Sequence, residues 1–136
     1  MANLTITAAN VVAGAGAAFD SGLAGATITA GQCVYRDAAD RKFKLVDADA
    51  LPSGGVTNGF LALNGAANNQ PLTVLRSGEV TIGGTMVLGT TYVAADTAGA
   101  IAPQADLGAG DAVIVLGVAR TTGIMVFRPI VSGATL

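Results

Sequence analysis

Residues 72–82 read LTVLRSGEVTI and contain two short runs in which apolar and polar side chains alternate. A period of two is typical of a β-strand with one buried face, because successive side chains of a strand point to opposite sides of the sheet. Ser77-Gly78 separates the two runs, and this pair predicts either a hairpin turn or a β-bulge. The stretch therefore predicts strands that turn or bend at Gly78.

Similar short β-rich runs recur on both sides of this stretch, and each ends at a turn signal. They lie at residues 27–29, 32–36, 42–46, 58–63, 91–95, 100–102, 112–119 and 124–131. No long run has helical periodicity, and turn signals that recur about every 8–12 residues are typical of a sandwich or barrel. We therefore predict an all-β fold, an antiparallel jelly-roll-like sandwich or barrel of about eight short strands.

Two series of motifs resemble each other at a fixed distance along the chain. GQCVY at residues 31–35 and GTTYV at residues 89–93 are each followed by an Asp-bearing turn and a short strand, and the offset from Gly31 to Gly89 is 58 residues. Two similar four-strand halves would suit the double Greek key of a jelly roll. Chance similarity in a chain rich in Ala, Gly and Val is the alternative, and the sequence leaves both open.

The chain divides into an extended N-terminal arm, residues 1–26, and a single β domain, residues 27–136. The arm is rich in Gly and Ala, and five large apolar residues in it have too little local sequence to be buried against. We predict that these residues contact another chain; the alternative is a frayed terminus. They are Leu4, Ile6, Val11, Val12 and Phe19.

The low charge of the chain also favours an assembly. Only 12% of the residues are charged, and seven Lys and Arg against nine Asp and Glu give a net charge of −2. A free soluble domain usually carries about 25–35% charged residues on its surface. Neutral or apolar patches must therefore face outward, and such patches usually mark interfaces. The charge also excludes the basic footprint of a nucleic-acid binder.

The residue types that most catalytic and metal sites require are missing. The chain has no His, and its single Cys33 lies in a predicted strand as a small core residue. Asp47 and Asp49 stand two apart in a loop without the spacing of an EF-hand, and the glycine pairs lack the context of a nucleotide-binding loop. We therefore predict no catalytic residue, no cofactor and no metal.

The N-terminus does not predict export. The first nineteen residues carry no charged side chain, but they lack the basic start and the continuous apolar run of a signal peptide. No stretch approaches the length of apolar sequence that spans a membrane. We expect a protein that is made in the cytoplasm and does not contact a membrane.

One predicted hairpin carries four of the seven basic residues, which we call the basic hairpin. They are Arg36, Arg41, Lys42 and Lys44. Such a hairpin is either a docking patch for an acidic surface or an edge that its charges keep soluble. The sequence favours neither.

A longer stretch supports a comparison with a known family. GFLALNGAANNQPLTVLRSGEVTI at residues 59–82 is followed by VLGTTYV at 87–93, GAIAP at 99–103 and VLGVA at 115–119. In this order, the chain resembles the small capsid cement, or head-decoration, proteins of tailed bacteriophages. The resemblance covers about residues 27–131, and neither the arm nor the basic residues of the hairpin contribute to it.

The resemblance implies a non-enzymatic structural protein of the virion. Such proteins bind the outer surface of a shell of major capsid protein as homodimers or homotrimers, after synthesis in the host cytoplasm. The alternative is a β-rich receptor-binding or adhesive module, such as a head fibre or pilin-like subunit, which exposed aromatic residues would favour. A small enzyme is a third candidate, but no acid/base pair converges in the sequence.

Overall fold

The computed structural model describes residues 2–52 and 55–136, so Met1, where the predicted arm begins, lies outside the described residues. Helical structure in these two ranges consists of two single 3-10 turns, Ala8–Asn10 and Gln104–Asp106. The strands are β1 (Val12–Ala13), β2 (Ala18–Leu23), β3 (Cys33–Arg36), β4 (Phe43–Leu45), β5 (Phe60–Ala62), β6 (Pro71–Thr81), β7 (Thr91–Ala94), β8 (Ile101–Pro103), β9 (Ala112–Ala119) and β10 (Ile124–Thr135). The prediction of an all-β fold is confirmed.

The strands form one antiparallel sheet that curls into a half-barrel. Its order is β4-β3-β5-β6-β10-β9-β7-β8, and β1 and β2 pair with β6 outside this path. A parallel bridge between Ala24 and Phe43 connects the segment after β2 to β4 and draws one end of the sheet together. No helix among the described residues has the length and apolar character that crossing a bilayer requires.

The sheet contains a similar four-strand order twice, β4-β3-β5-β6 and β8-β7-β9-β10. β3 pairs with β4 and β5, and β7 likewise pairs with β8 and β9. The hairpin registers agree at the offset of 58 residues, since Val34 opposes Leu45 and Tyr92 opposes Pro103. The internal repeat is therefore a real feature of the fold. The jelly-roll arrangement itself stays a prediction.

β6 joins the two halves and decides between the alternatives for Ser77-Gly78. The strand is continuous through this pair, so the hairpin turn is wrong. The register of β2 on β6 shifts beside the pair, because Ala18 opposes Ser77 and Phe19 opposes Leu75, which leaves Arg76 as the extra residue of a bulge. Gly78 next to the bulge has φ 114°, and a Cβ there would lie 2.6 Å from the Cα of Ala17, so this position requires glycine.

Residues 12–23 run along one edge of β6, so the extended arm is not confirmed. β1 pairs Val12 with Thr81, and β2 continues along β6 to Pro71. β5 and β10 also pair with β6. Because they pair with residues of β6 whose other side is already occupied by residues 12–23, both strands lie along the opposite edge of β6. On that edge β5 reaches Leu75 and β10 starts at Gly78, which leaves residues 76–77 of β6 in a gap between them.

Two apolar clusters form the core. The larger contains Cys33, which is fully buried as the sequence predicts, together with Tyr92 and Phe127. The smaller lies beside β2–β6 and contains Phe43 and Phe60, whose rings meet edge to face at 5.4 Å between centroids. Burial of these side chains is the main contribution that holds the curled sheet together.

Candidate interaction surfaces

The predicted partner-binding residues of the N-terminal segment divide into an inward and an outward set. Leu4 and Ile6 are half-buried against the larger core cluster, and Val11 is buried. Val12 and Phe19 remain 58% and 53% exposed. Only the outward pair therefore presents apolar surface for another chain.

The inward set is held by residues far away in the sequence. The Leu4 amide donates to the Ile101 carbonyl oxygen at 2.7 Å, and the Thr7 amide donates to the Gly83 carbonyl oxygen at 2.8 Å. These side chains have no partner nearby in the sequence, and the residues that hold them come from distant segments that the fold brings close. A deletion of residues 2–20 would therefore remove part of the protein's own sheet.

Val12 belongs to a row of apolar side chains across the outside of the sheet. It opposes Thr81, which opposes Ile124 on β10; two residues further along β10, Val126 opposes Val118 on β9. Paired residues, and residues two apart on one strand, point to the same side of a sheet. We call Val12, Val118, Ile124 and Val126 the outer apolar face.

Other large apolar side chains are also exposed. Phe19 and Leu23 alternate with half-buried residues along β2, so they share one side of that strand. Val87 and Leu88, in the loop before β7, are 67% and 65% exposed. The predicted partner-binding residues do not include this loop pair, although two adjacent apolar residues next to a predicted turn are a usable signal.

The lysines of the basic hairpin bind within their own chain. The Lys44 Nζ lies 2.7 Å from Asp37 Oδ2 and 3.1 Å from Asp40 Oδ2, and the Lys42 Nζ donates to the side-chain oxygen of Asn69. The hydrogen bond to Asp37 raises the pKa of Lys44 and lowers the pKa of Asp37. These lysines are thus part of the hairpin's own structure.

The arginines of the basic hairpin instead line a cleft at the gap between β5 and β10. Its volume is about 470 Å³, and Arg36 and Arg41 line it together with Arg76 from β6 and Arg128 from β10. Asp20 is the one carboxylate among the described residues of its lining. We call this feature the arginine cleft.

Arg36 is the most constrained of the four guanidinium groups. Its Nη2 donates to the Ser21 carbonyl oxygen at 2.9 Å, and its Nη1 lies 3.5 Å from Asp20 Oδ2. The guanidinium carbon lies 4.5 Å from the centre of the Phe43 ring, within the range of a cation–π contact. Its Nε is buried and has no hydrogen-bond partner in the part of the chain that the structure describes.

Three carboxylates that the sequence did not bring together meet at another place. Oxygens of Asp49, Asp96 and Asp111 lie within 4.8 Å of one another, and we call them the aspartate cluster. The Oδ2 of Asp111 already accepts the amide of Gly108 at 2.8 Å. A hydrogen bond with the side chain of Asp47 raises the pKa of Asp49. Nothing else at the cluster indicates a bound cation.

Comparison with known proteins adds no relative from which a role could be transferred. The chain matches no protein-family model, no curated protein and no solved structure.

Proposed function

We propose that this protein is a capsid cement protein of a tailed bacteriophage. It binds the outer surface of the shell, and it links neighbouring subunits of the major capsid protein. The supporting observation is that eight large apolar side chains are exposed in a chain with few charges, and that five of the eight lie on strands. They are Val12, Phe19, Leu23, Val87, Leu88, Val118, Ile130 and Leu136.

Apolar contacts of this kind would stabilise a shell because the free energies of many small contacts add up. A cement subunit that touches two or three shell subunits opposes their separation by the free energy of its own contacts. An interface of about 800 Å² per partner is ordinary for specific association. Many such contacts over a shell resist internal pressure together, and their apolar character makes attachment insensitive to salt.

Three finer expectations belong to the same proposal. The strands form a jelly-roll-like sandwich, the N-terminal segment acts as an extended arm towards a neighbouring subunit, and the protein is a homodimer or homotrimer on the virion. It uses no cofactor and performs no catalysis. The outward position of Val12 and Phe19 supports the role of the N-terminal segment.

The adhesive alternative receives less support from the surface. A module that binds glycans usually stacks exposed aromatic rings on its ligand. The chain has four Phe and two Tyr. Phe43, Phe60, Tyr92 and Phe127 are buried, Tyr35 is half-buried, and Phe19 is exposed. One exposed ring is a poor platform for a sugar.

The test compares particles that lack this protein with complete particles. We expect the deficient particles to break at lower temperature and on osmotic shock, and we expect added purified protein to restore their resistance. If deficient particles withstand heat and osmotic shock as well as complete ones, the proposed function is wrong.

Phe19→Ala tests the attachment surface in the same assay. A Phe side chain carries about 200 Å² of surface, so about 100 Å² of Phe19 remains to be buried at an interface. At ~25 cal/mol per Å² this is about 2.5 kcal/mol, or roughly 70-fold in affinity for the shell. Ser21→Ala, on the same side of β2, is the matched control and should attach normally. Equal attachment of both variants would exclude this side of β2 from the interface.

A further inference from the structure

The fold gathers the arginines of this chain around one concavity. The chain has five arginines and two lysines, and four of the arginines line the arginine cleft while neither lysine does. Arg36 ends β3, Arg41 lies in the turn that follows, Arg76 lies on β6 and Arg128 on β10. These positions are up to 92 residues apart, from Arg36 to Arg128, so the concentration of charge is a property of the fold.

Most of this positive charge is not neutralised within the chain. Arg36 faces Asp20 at the long distance of 3.5 Å. Arg41, Arg76 and Arg128 form no ion pair with any residue that the structure describes. Four guanidinium groups and one carboxylate leave a formal charge of +3 in the lining of a cleft on a chain of net charge −2. Like charges at short distance repel one another, and a bound anion would offset the unfavourable free energy of that repulsion.

The chemistry of the lining identifies the kind of anion. A guanidinium group presents planar, paired donors that match a carboxylate or phosphate in a bidentate arrangement. Among the residues that the structure describes, the lining contains no helix N-terminus or glycine-rich loop of the kind that cradles phosphates. Phe60, the aromatic residue of the lining, is only 7% exposed and offers no platform for a nucleotide base. These features favour carboxylates over nucleotide phosphates.

The size and shape of the cleft indicate more than one carboxylate. Its volume of about 470 Å³ falls within the usual range for sites that hold several side chains or a small ligand. The guanidinium groups come from four separate positions in the lining, and Thr57, Asn58 and Ser77 add polar groups to it. An occupant with several carboxylates along an extended backbone can meet several arginines at once.

We propose that the arginine cleft binds an acidic polypeptide segment, which inserts at least two Asp or Glu carboxylates among Arg36, Arg41, Arg76 and Arg128. The inference names the chemistry of the partner and does not depend on the cement function. The basic residues of the hairpin therefore have two different roles. The arginines bind the partner, and the lysines form contacts within the chain that stabilise the hairpin.

The test uses the isolated full-length protein and a fluorescein-labelled peptide of alternating Asp and Glu. Fluorescence anisotropy should detect binding that weakens as salt is added. Arg76→Gln/Arg128→Gln should lose about 10-fold or more in affinity, because each lost charge-assisted contact has no substitute. Both side chains are exposed and unpaired among the described residues, so the variant should keep its melting temperature.

A pair of single variants controls for net charge. Arg120→Gln removes one charge outside both the basic hairpin and the lining of the cleft, and it should bind the peptide within about twofold of the unchanged protein, whereas Arg76→Gln should bind more weakly. An equal loss in Arg120→Gln and Arg76→Gln would overturn the proposal, since it indicates non-specific attraction. So would failure of the unchanged protein to bind the peptide, or preferential binding of inorganic tripolyphosphate in competition. None of these outcomes changes the result expected when deficient and complete particles are compared, so the two proposals can fail separately.

Discussion

Gly117→Ala should destabilise this fold far more than a substitution of glycine by alanine usually does. Gly117 lies in β9 between Tyr92 of β7 and Phe127 of β10, both almost fully buried. A Cβ at Gly117 would collide with the carbonyl oxygen of Val126 and lie 3.0 Å from its carbonyl carbon. Because both atoms are backbone, the strands themselves must move apart.

The expected size follows from that forced movement. Overpacking a closed core costs about 1–3 kcal/mol, and a backbone obstacle favours the upper part of this range. We therefore expect Gly117→Ala to lower the free energy of unfolding by about 2–3 kcal/mol. This is a large share of the ~5–15 kcal/mol that stabilises a typical domain.

Gly123→Ala is the matched control, because Gly123 lies in the turn between the same two strands. No heavy atom lies within 4 Å of a Cβ built there, and its φ is not positive. That variant should be neutral, or more stable by about 0.4–1 kcal/mol, through the loss of freedom in the unfolded chain. Urea unfolding followed by circular dichroism measures both variants. Equal midpoints for Gly117→Ala and Gly123→Ala would refute the close approach of β9 and β10.

Three further predictions concern ionisable groups. Burial raises the pKa of the Cys33 thiol from 9.0 to about 12. The native state therefore keeps a proton that the unfolded state loses, and stability should fall by about 1.4 kcal/mol from pH 8 to pH 10; Cys33→Ala should abolish that part of the fall in urea titrations. The hydrogen bond from Lys44 lowers the pKa of Asp37 from 3.8, so its stabilisation is lost as the pH falls through the lowered pKa. Asp37→Asn should consequently lose less stability on acidification than the unchanged protein does, measured by melting temperature. EDTA should leave the melting temperature unchanged, whereas a rise with added Ca²⁺ would contradict the expectation that the aspartate cluster needs no metal.

Alternation of apolar and polar residues located most of the sheet from the sequence. A different signal gave β9 its full bounds, because Ala112–Ala119 is a continuous apolar run between turn signals. Alternation did not predict β2, where Phe19 and Leu23 alternate among small residues and the partner strand lies about fifty residues further along the chain. The end of β10 was also missed, since Ser132 and Gly133 interrupt the pattern while pairing with β9 continues to Thr135. Long-range pairing overrode weak local propensity in both places.

The candidate sites were harder to predict than the strands. Four basic residues within nine positions identify the basic hairpin. Their spacing does not show which of the four side chains form ion pairs or hydrogen bonds within the chain. Arg76 and Arg128 have no local signal at all. They meet because β5 and β10 pair with different parts of one edge of β6 and leave a gap there. Such a gap depends on register, which the sequence alone did not give.

The internal repeat explains why the charges lie on one copy of the hairpin. At the offset of 58 residues, Arg36 and Lys44 of the β3–β4 hairpin correspond to Ala94 and Ala102 of the β7–β8 hairpin. Both alanines are fully buried, whereas Arg36 and Lys44 are only partly buried. A charge at the buried copy would lack water and partners, so that copy must be neutral. The duplicated strands thus supply the scaffold, and the copy whose hairpin keeps contact with solvent is the one that can carry the arginine cleft.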